Sequence, residues 1–279
     1  MKFLRPFEQA KNPVKKSIPF SDKNDLYDNR KLDQQNTHGY SDQDVMSFLR
    51  NLDLGSGESV LDIGCGEGKI GLCALSMNSN IKLIAMDFND RQIQQAKNTL
   101  SSNNYDNIEL RVGTIIETGL KSDSIDKIIA KMVLHEIQKL DQRKALKEMY
   151  RILKKGGKLA IRCIDLNKEN QVGFQNIAQE KDRLAGFKSL MKNRYFFTGE
   201  ELLSYAIGAG FSSIQDKGNI PFIFDPNRFL ETDFNGDERK VKKLKEKINE
   251  IVNKDNALKE AELEDGKLNI GFRIYLLTK

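Results

Sequence analysis

Apolar residues recur along this chain with two spacings, one typical of strands and one typical of helices. Short apolar runs bounded by glycine, asparagine or aspartate predict strands, and segments whose apolar residues return every three or four positions predict helices. The predicted strands cover 59–64, 81–86, 108–112, 125–130 and 158–163, and the predicted helices cover 41–49, 69–77, 90–101, about 145–153 and 198–209. Strands that alternate with helices indicate a doubly wound α/β fold, because parallel neighbours need right-handed crossovers.

Two segments before residue 198 stand outside this alternation. Residues 1–40 are polar and carry three prolines, which predicts an N-terminal arm or cap ahead of a domain over 41–279. Regular spacing lapses again at 166–197, an insertion that leaves the sheet beside the carboxyl ends of the strands, and we interpret it as part of a lid. Its aromatic and large apolar residues are Phe174, Phe187, Met191, Tyr195, Phe196 and Phe197.

The C-terminal part returns to strands but carries a second insertion. Strands are predicted near 212–224 and at 270–277. Between them, 225–268 is a helical insertion in which 239–252 forms a charged amphipathic helix. Such a helix is usually a solvated surface element, and partner binding is the alternative.

Composition excludes several classes of protein. Hydrophobic residues make up 39% and charged residues 30% of the 279 residues, the balance of a globular chain. No apolar run approaches the roughly 18 residues of a membrane span, and the N terminus has no secretory signal pattern, so we expect a cytoplasmic protein without membrane insertion. The three cysteines and two histidines are too scattered for a disulfide framework or a zinc site, so no metal is predicted.

The charge pattern bears on the partners of the protein. The formal net charge is +5, but the 45 Lys and Arg residues are interspersed with 40 Asp and Glu residues. That mixture favours a solvated surface over a nucleic-acid footprint. Nucleic acid is therefore a disfavoured partner, and nothing in the pattern predicts an oligomeric state.

The turn after the first predicted strand carries the clearest chemistry, since doubly wound sheets bind ligands at the carboxyl ends of their strands. It reads Asp62-Ile-Gly64-Cys-Gly66-Glu-Gly68. Glycines let the backbone approach a ligand closely, and Asp62 would attract a cationic ammonium, a group that a dinucleotide pyrophosphate lacks. A competing pattern, G-x-G-x-x-G from Gly66, Gly68 and Gly71, would indicate a nicotinamide cofactor, but its first glycine falls too late after the strand.

On these residues the chain resembles the class I S-adenosylmethionine-dependent methyltransferases over roughly 41–211. Four segments are similar to that family's motifs, in order: VLDIGCGEG, IAMDFND, SIDKIIAKMVLHEI and ALKEMYRILKKGGKLAI. A fifth, FFTGEELLSYAIGAGF, is similar to the helix that follows in the small-molecule, methyltransferase type 11-like branch. The resemblance implies a seven-stranded, mostly parallel, Rossmann-like sheet with helices on both faces and an antiparallel last strand.

The resemblance also implies which residues bind S-adenosylmethionine and its product, S-adenosylhomocysteine. Asp62 and the backbone of Gly64 and Gly66 would hold the methionine portion. Asp87 would accept hydrogen bonds from both ribose hydroxyls, which needs a carboxylate with two oxygens, and Phe88 would flank the adenine. The other expected contacts are Cys65, Thr114, Ile115, Lys131 and, upstream, Tyr40. Thr114 stands where the family often has an acid, so backbone groups there would contact the adenine.

The resemblance implies methyl transfer to a small-molecule or peptide acceptor through an O, N, S or C nucleophile. A sulfonium methyl is already activated, so the protein mainly holds the nucleophile in line with it. His135 is the candidate base, and the alternative is a histidine that holds its own loop. The competing functions are an RNA-modifying methyltransferase, a non-catalytic cofactor-binding partner subunit and a nicotinamide-dependent oxidoreductase.

Overall fold

The helices and strands are described in a computed structural model that covers residues 42–101 and 105–279. The helices are α1 (Asp42–Arg50), α2 (Lys69–Met77), α3 (Asp90–Ser101), α4 (Lys139–Ile152), α5 (Gln171–Ala185), α6 (Lys188–Asn193), α7 (Gly199–Ala209), α8 (Phe229–Thr232), α9 (Glu238–Val252) and α10 (Asn256–Glu260). The strands are β1 (Ser59–Ile63), β2 (Lys82–Asp87), β3 (Ile108–Val112), β4 (Ile125–Lys131), β5 (Leu153–Ile164), β6 (Ser213–Ile220), β7 (Ile223–Phe224), β8 (Leu268–Asn269) and β9 (Phe272–Thr278). The predicted arm, 1–40, with Tyr40, lies outside the described residues.

Seven strands form one sheet in the order β3-β2-β1-β4-β5-β9-β6. The first five strands pair in parallel, and β9 runs antiparallel to both of its neighbours, β5 and β6. The predicted fold class is confirmed, including the antiparallel last strand. The strand order switches direction between β1 and β4, which is where such sheets bind ligands.

Alternating side chains of the strands bury two apolar layers, one on each face of the sheet. Val60 packs in the layer formed with α1, α2 and α3, whereas its neighbour Leu61 packs in the layer formed with α4 and α7. This alternation follows from the period of two along a strand. Each buried aliphatic side chain contributes about 1.5–3 kcal/mol to folding, so the two layers hold the strand ends rigidly in place.

A third apolar cluster lies beyond the edge of the two layers and forms one wall of the site. The amphipathic helix α9 packs on α5, and Leu244 and Ile248 on its buried face join Phe174 and Ile177 of α5 in this cluster. The apolar face that the sequence predicted for α9 is therefore covered by α5 within the chain itself.

The structure contains one helix that the sequence did not predict, and it breaks one predicted strand in two. The segment 171–185, where the sequence pattern lapses, is the helix α5; its buried face includes the charged Lys181 and Asp182, which interrupt the apolar stripe. The single strand predicted near 212–224 is broken into β6 and β7 around Pro221, since proline has no N–H to donate to a strand partner.

Strand β5 also begins earlier than predicted. Leu153 pairs with Ile125, and the register then shifts so that Lys158 pairs with Lys127. The bulge in β5 between these two pairs holds Gly156 at φ +77°, a left-handed conformation that glycine adopts without strain. Within residues 42–101 and 105–279, none of the helices combines the length and apolarity that crossing a bilayer requires. The cytoplasmic location stays a prediction.

Candidate active site at the strand switch

A cavity of about 440 Å³ opens at the carboxyl ends of β1, β2 and β4. One side is formed by the glycine turn after β1 and by the end of β2. The other side is formed by the turn after β4, by α5 and by the segments around residues 194–196 and 222–233. The two sides meet at the switch in strand order, so one cavity contains both the predicted cofactor turn and the turn that carries His135.

The glycine turn is shaped by two left-handed residues. Gly64 has φ +71° and Gly66 has φ +53°, conformations that cost other residues about 1–2 kcal/mol. The N–H of Gly64 donates to the carbonyl oxygen of Met86 at 2.8 Å, which ties the turn to β2. A Cβ atom on Gly64 would lie 2.4 Å from Cγ2 of Val133, so only glycine lets the two turns approach each other this closely.

Asp62 is a buried carboxylate beneath this turn. Its side chain is 1% exposed, and its Oδ2 has no hydrogen-bond partner among the described residues. Burial raises the pKa of Asp62 to about 7, although Lys131 and the Gly71 N–H lower it. Burial, with the positive charges of Arg162 and Arg228, lowers the pKa of Lys131 to about 7. An unsatisfied buried oxygen of this kind is a place for a cation or donor from a ligand.

Asp87 ends β2 with both carboxylate oxygens held by the backbone. Oδ2 accepts from the N–H of Gly66 at 3.0 Å, and Oδ1 accepts from the N–H of Asn89 at 3.0 Å. Asp87 is 7% exposed and lines the cavity next to Phe88. The same carboxylate therefore orients the glycine turn and faces the cavity.

Most of the predicted site residues come together here, but two do not. The cavity lining includes Gly64, Cys65, Gly66, Asp87, Phe88, Lys131 and His135, and Asp62 lies directly beneath it. Burial, together with Asp62 and Asp87, raises the pKa of the Cys65 thiol far above its ordinary value, so this thiol is protonated and is not a nucleophile. Thr114 and Ile115 are absent from the described lining: Thr114 bridges to Glu117, and Ile115 is buried in the core. Their contact with a cofactor stays a prediction.

His135 lies in a short 3₁₀ turn, Leu134–Glu136, after β4. Its ring stacks on Phe196 with centroids 4.7 Å apart and planes 11° apart. Burial, with the nearby charges of Arg194 and Lys181, holds the pKa of His135 well below its ordinary value. The imidazole is therefore neutral near pH 7, and its buried Nδ1 has no hydrogen-bond partner among the described residues.

Three glutamine side chains hold the backbone around His135 and the residues that cover it. Gln142 of α4 is 1% exposed, and its Nε2 donates to the carbonyl oxygens of Leu134, Ile137 and Tyr195 at 3.0, 3.3 and 2.7 Å. From α5, Gln171 and Gln175 bond to the backbone of Phe196 and Arg194. These bonds connect the turn of His135 to the segment that stacks on it.

A buried ionic cluster lies behind His135. Nζ of Lys181 lies 2.6 Å from Oδ1 of Asp182 and 3.2 Å from Oδ2 of Asp233. Nη1 of Arg194 lies 3.1 Å from Oδ2 of Asp182, and its Nη2 lies 3.8 Å from Oε1 of Glu136. Each buried charge is thus compensated, which is what makes such a cluster tolerable in an apolar wall.

Sequence reasoning missed most of the cavity side that is formed by α5 and by the segments around 194–196 and 222–233. Of the aromatic residues noted at 166–197, Phe174 and Phe196 line the cavity. The lining also includes Met132, Lys181, Arg194, Phe222, Phe224, Arg228, Phe229 and Asp233. The sequence of α5 contains a pattern that could have indicated this side: Lys181 and Asp182 share the helical face of Phe174 and Ile177. Charged residues on an otherwise apolar helical face often mark a functional site.

Comparison with known proteins identifies the family. Residues 54–260 match the family described as a methyltransferase domain. The chain is 30% identical over 174 residues to the chloroplastic 2-phytyl-1,4-beta-naphthoquinone methyltransferase of Arabidopsis thaliana, which covers 56% of this chain and 65% of that protein. The chain thus spans less than two thirds of the length of the first curated relatives it matches.

Solved structures agree on the fold. The YcgJ protein of Bacillus subtilis superposes with a TM-score of 0.70 at 15% identity, over 85% of this chain and 98% of that chain. Phosphoethanolamine N-methyltransferase 2 of Haemonchus contortus, solved in complex with S-adenosyl-L-methionine, superposes with a TM-score of 0.57 at 17% identity, over 85% of this chain and 52% of that chain. The chain therefore belongs to the methyltransferase-domain family, and the resemblance to class I S-adenosylmethionine-dependent methyltransferases that its motifs indicated is confirmed.

Proposed function

We propose that this protein transfers a methyl group from S-adenosylmethionine to a small-molecule or peptide acceptor that enters beside His135. One observation carries the proposal: the glycine turn with Asp62 and Asp87, and the aromatic wall around His135, line a single cavity. A methyl donor on one side and an acceptor on the other would meet within it. The naphthoquinone methyltransferase named above supports an acceptor of small-molecule size.

The residues present fit the cofactor. The unsatisfied Oδ2 of Asp62 suits the ammonium of the methionine portion, and an approaching cation favours the ionised carboxylate. The left-handed Gly64 and Gly66 leave backbone exposed to the cavity without side chains. Asp87 would accept the ribose hydroxyls, and Phe88 and Lys131 would complete the contacts.

When bound, S-adenosylmethionine supplies a methyl group already activated by its sulfonium. The task of this chain is then to place the acceptor atom and to exclude water. His135 would hydrogen-bond and orient the acceptor rather than store its proton, because an imidazole whose pKa is far below its ordinary value holds a proton poorly. The insertion 166–197, first interpreted as a lid, would form the wall that covers the acceptor.

Calorimetric titration with S-adenosylmethionine and S-adenosylhomocysteine tests the proposal. We expect micromolar binding by the natural protein and none by Asp87→Ala. The matched control is Asp106→Ala, which removes an exposed acid before β3 and should leave the affinity unchanged. Asp87 also holds the glycine turn, so thermal unfolding of each variant accompanies the titration. A folded natural protein that binds neither ligand, or that prefers NAD in a parallel titration, contradicts the proposal.

A further inference from the structure

Phenylalanine rings from distant parts of the chain line the side of the cavity that lies beyond β4. They are Phe174 of α5, Phe196, Phe222, Phe224 of β7 and Phe229 of α8. Among the described residues, the side with the glycine turn contributes only the ring of Phe88. Cavities that bind small molecules are mostly apolar with a few polar groups, so the side beyond β4 is suited to an apolar ligand with flat faces.

Several of these rings are held in place before any ligand arrives. Phe174 packs edge-on against Phe196 and Phe224, with centroids 5.1 and 5.6 Å apart. Gln171 donates to the carbonyl oxygen of Phe196 at 2.7 Å, and Gln175 accepts from its N–H at 2.8 Å. A ligand therefore meets a surface that is already ordered, which lowers the entropy cost of binding.

Backbone strain marks the border between these rings and the glycine turn. Met132 follows β4, lines the cavity and has φ +57°, a left-handed conformation that is rare for a bulky side chain. It packs against the cluster that contains Phe174 and Phe196. Strained residues are concentrated at ligand sites, and a thioether packs favourably on aromatic rings. Met132 therefore extends the ring surface toward the glycine turn.

The ionic cluster on this side is compensated within itself. Nζ of Lys181 lies 2.6 Å from Asp182 and 3.2 Å from Asp233, and Arg194 lies 3.1 Å from Asp182. A charged ligand would give up its hydration here and would have to compete with these existing pairs. Burial of a charge without a partner is costly, so the cluster favours a neutral ligand.

The two other cations of this side are engaged as well. Lys131 and Asp62 attract each other, and the proposed function assigns Lys131 to the cofactor. The guanidinium carbon of Arg228 lies 5.4 Å from the centroid of Phe222 and 5.8 Å from that of Phe229. Neither cation adds a binding site for an anion to this side.

One polar atom on this side lacks a partner. Nδ1 of His135 is buried and has no hydrogen-bond partner among the described residues, while the ring that carries it lines the cavity and stacks on Phe196. Buried polar atoms of folded proteins nearly always have a partner, and a ligand would supply it here. A hydroxyl both donates and accepts, so it suits Nδ1 in either tautomer of the neutral imidazole.

We propose that the methyl acceptor is a neutral, flat aromatic molecule that packs on these rings and carries a hydroxyl that hydrogen-bonds to Nδ1 of His135. The inference rests on the proposed function, since it assigns the side beyond β4 to the acceptor. The rings select for the flat body, the compensated charges select against an ion, and His135 recognises the hydroxyl.

Four probes of similar size test the inference by calorimetry at about pH 7, with and without saturating S-adenosylhomocysteine: 2-naphthol, 2-methylnaphthalene, decahydro-2-naphthol and 2-naphthoate. We expect 2-naphthol to bind most tightly. The methyl compound lacks the hydroxyl and the decahydro compound lacks the aromatic rings, so each should bind about threefold to tenfold more weakly, the size of one neutral hydrogen bond or one aromatic contact. The ionised naphthoate should bind at least about tenfold more weakly.

Two variants separate the hydrogen bond from the ring contacts. His135→Phe retains a ring against Phe196 but removes Nδ1, so the affinity for 2-naphthol should fall to that for 2-methylnaphthalene, which should itself stay within about twofold. Phe222→Leu removes a half-buried ring of the lining and should weaken 2-naphthol about threefold while leaving decahydro-2-naphthol within about twofold. The matched control is Tyr105→Phe, a ring in the apolar layer formed with α1, α2 and α3, and it should change no affinity.

Thermal unfolding accompanies each titration, and the Phe222 variant tests the ring contacts even where His135→Phe does not fold. Tightest binding of the naphthoate, equal binding of 2-naphthol and 2-methylnaphthalene, or undetectable binding of 2-naphthol overturns the inference. Tightest binding of the decahydro compound also overturns it and indicates an aliphatic acceptor. An unchanged 2-naphthol affinity in a folded His135→Phe variant has the same consequence.

Failure of the inference is distinguishable from failure of the proposed function. Binding of S-adenosylhomocysteine without the expected preferences among the probes refutes only the neutral aromatic acceptor. The expected preferences in a protein that does not bind S-adenosylhomocysteine refute the methyltransferase assignment and leave a cavity that binds neutral hydroxyaromatic molecules.

Discussion

Replacing Asp62 by Asn should stabilise the protein above neutral pH and abolish cofactor binding. The folded-state pKa of Asp62 is raised from 3.8 to about 7. Folded chains therefore keep a proton that unfolded chains release between about pH 4 and pH 7, and the stability of the natural protein falls as the pH rises through this window. Asn has no proton to retain, and its side-chain oxygen can still accept from the Gly71 N–H.

The size of the effect follows from the width of that window. Each pH unit within it costs the natural protein about 1.4 kcal/mol relative to the Asn variant. Three units give an upper limit of about 4 kcal/mol. The pKa of about 7 already includes the attraction of Lys131 for Asp62. The Asn side chain is still a polar group that must be buried, which costs part of the gain. We therefore expect the Asn variant to be more stable by about 2–3 kcal/mol near pH 8.

Urea unfolding followed by circular dichroism at about pH 5 to pH 8 measures the difference. Asp90→Asn, an exposed acid at the start of α3, is the matched control and should track the natural protein at every pH. Calorimetry should show that Asp62→Asn no longer binds S-adenosylhomocysteine. A gap between natural protein and Asn variant that stays constant with pH, or an Asn variant that is less stable at pH 8, would refute the assignment of Asp62 as a buried carboxyl kept for a cationic ligand.

Three further outcomes are expected. Gly64→Ala should lower the free energy of unfolding in urea by about 2–5 kcal/mol, because of the left-handed φ and the clash with Val133. The control Gly57→Ala, at φ +81° in open space, should lower it by only about 1–2 kcal/mol. Equal losses in the two variants would contradict the clash. The NMR ring resonances of His135 should not shift between about pH 5.5 and pH 8, and a titration near pH 6.5 would contradict its buried, neutral state. Gln142→Met should cost about 2–4 kcal/mol because two buried carbonyls and one partly buried carbonyl lose their donor. A loss below about 0.5 kcal/mol would show that these hydrogen bonds do not stabilise the fold.

The glycine-turn side of the cavity could be predicted from the sequence as a place where these residues meet, because they are close together along the chain. Asp62, Gly64 and Gly66 lie in one turn, and Asp87 ends the next strand, so local spacing alone places them at the same edge of a parallel sheet. Thr114 and Ile115 show the limit of that reasoning. They follow β3 at the expected position, but the chain turns there through the Thr114–Glu117 bridge, outside the described lining.

The acceptor side could not be predicted in the same way, because its residues are brought together by packing between distant elements. Arg228 and Phe229 follow a broken strand, while Phe174 and Lys181 lie on α5. The packing of α9 on α5 and direct contacts such as Lys181 Nζ on the Phe229 ring bring the two together. The helix α5 itself escaped prediction because Lys181 and Asp182 occupy its buried face. Those charges are tolerated there because Lys181 and Asp182 pair with each other and with Arg194 and Asp233. The pairing with Asp233, which lies far along the chain, is not revealed by a local pattern.

The two sides of the cavity are joined by direct contact as well as through the sheet. The space that a Gly64 side chain would fill is occupied by Val133, which begins the turn of His135, and Gln142 holds the end of that turn from α4. A displacement of the acceptor turn would therefore press on the cofactor turn. In-line displacement, as proposed, would depend on the position of the acceptor to within about 1 Å. We therefore expect the contact between Gly64 and Val133 to fix the two sides of the cavity relative to each other during the proposed reaction.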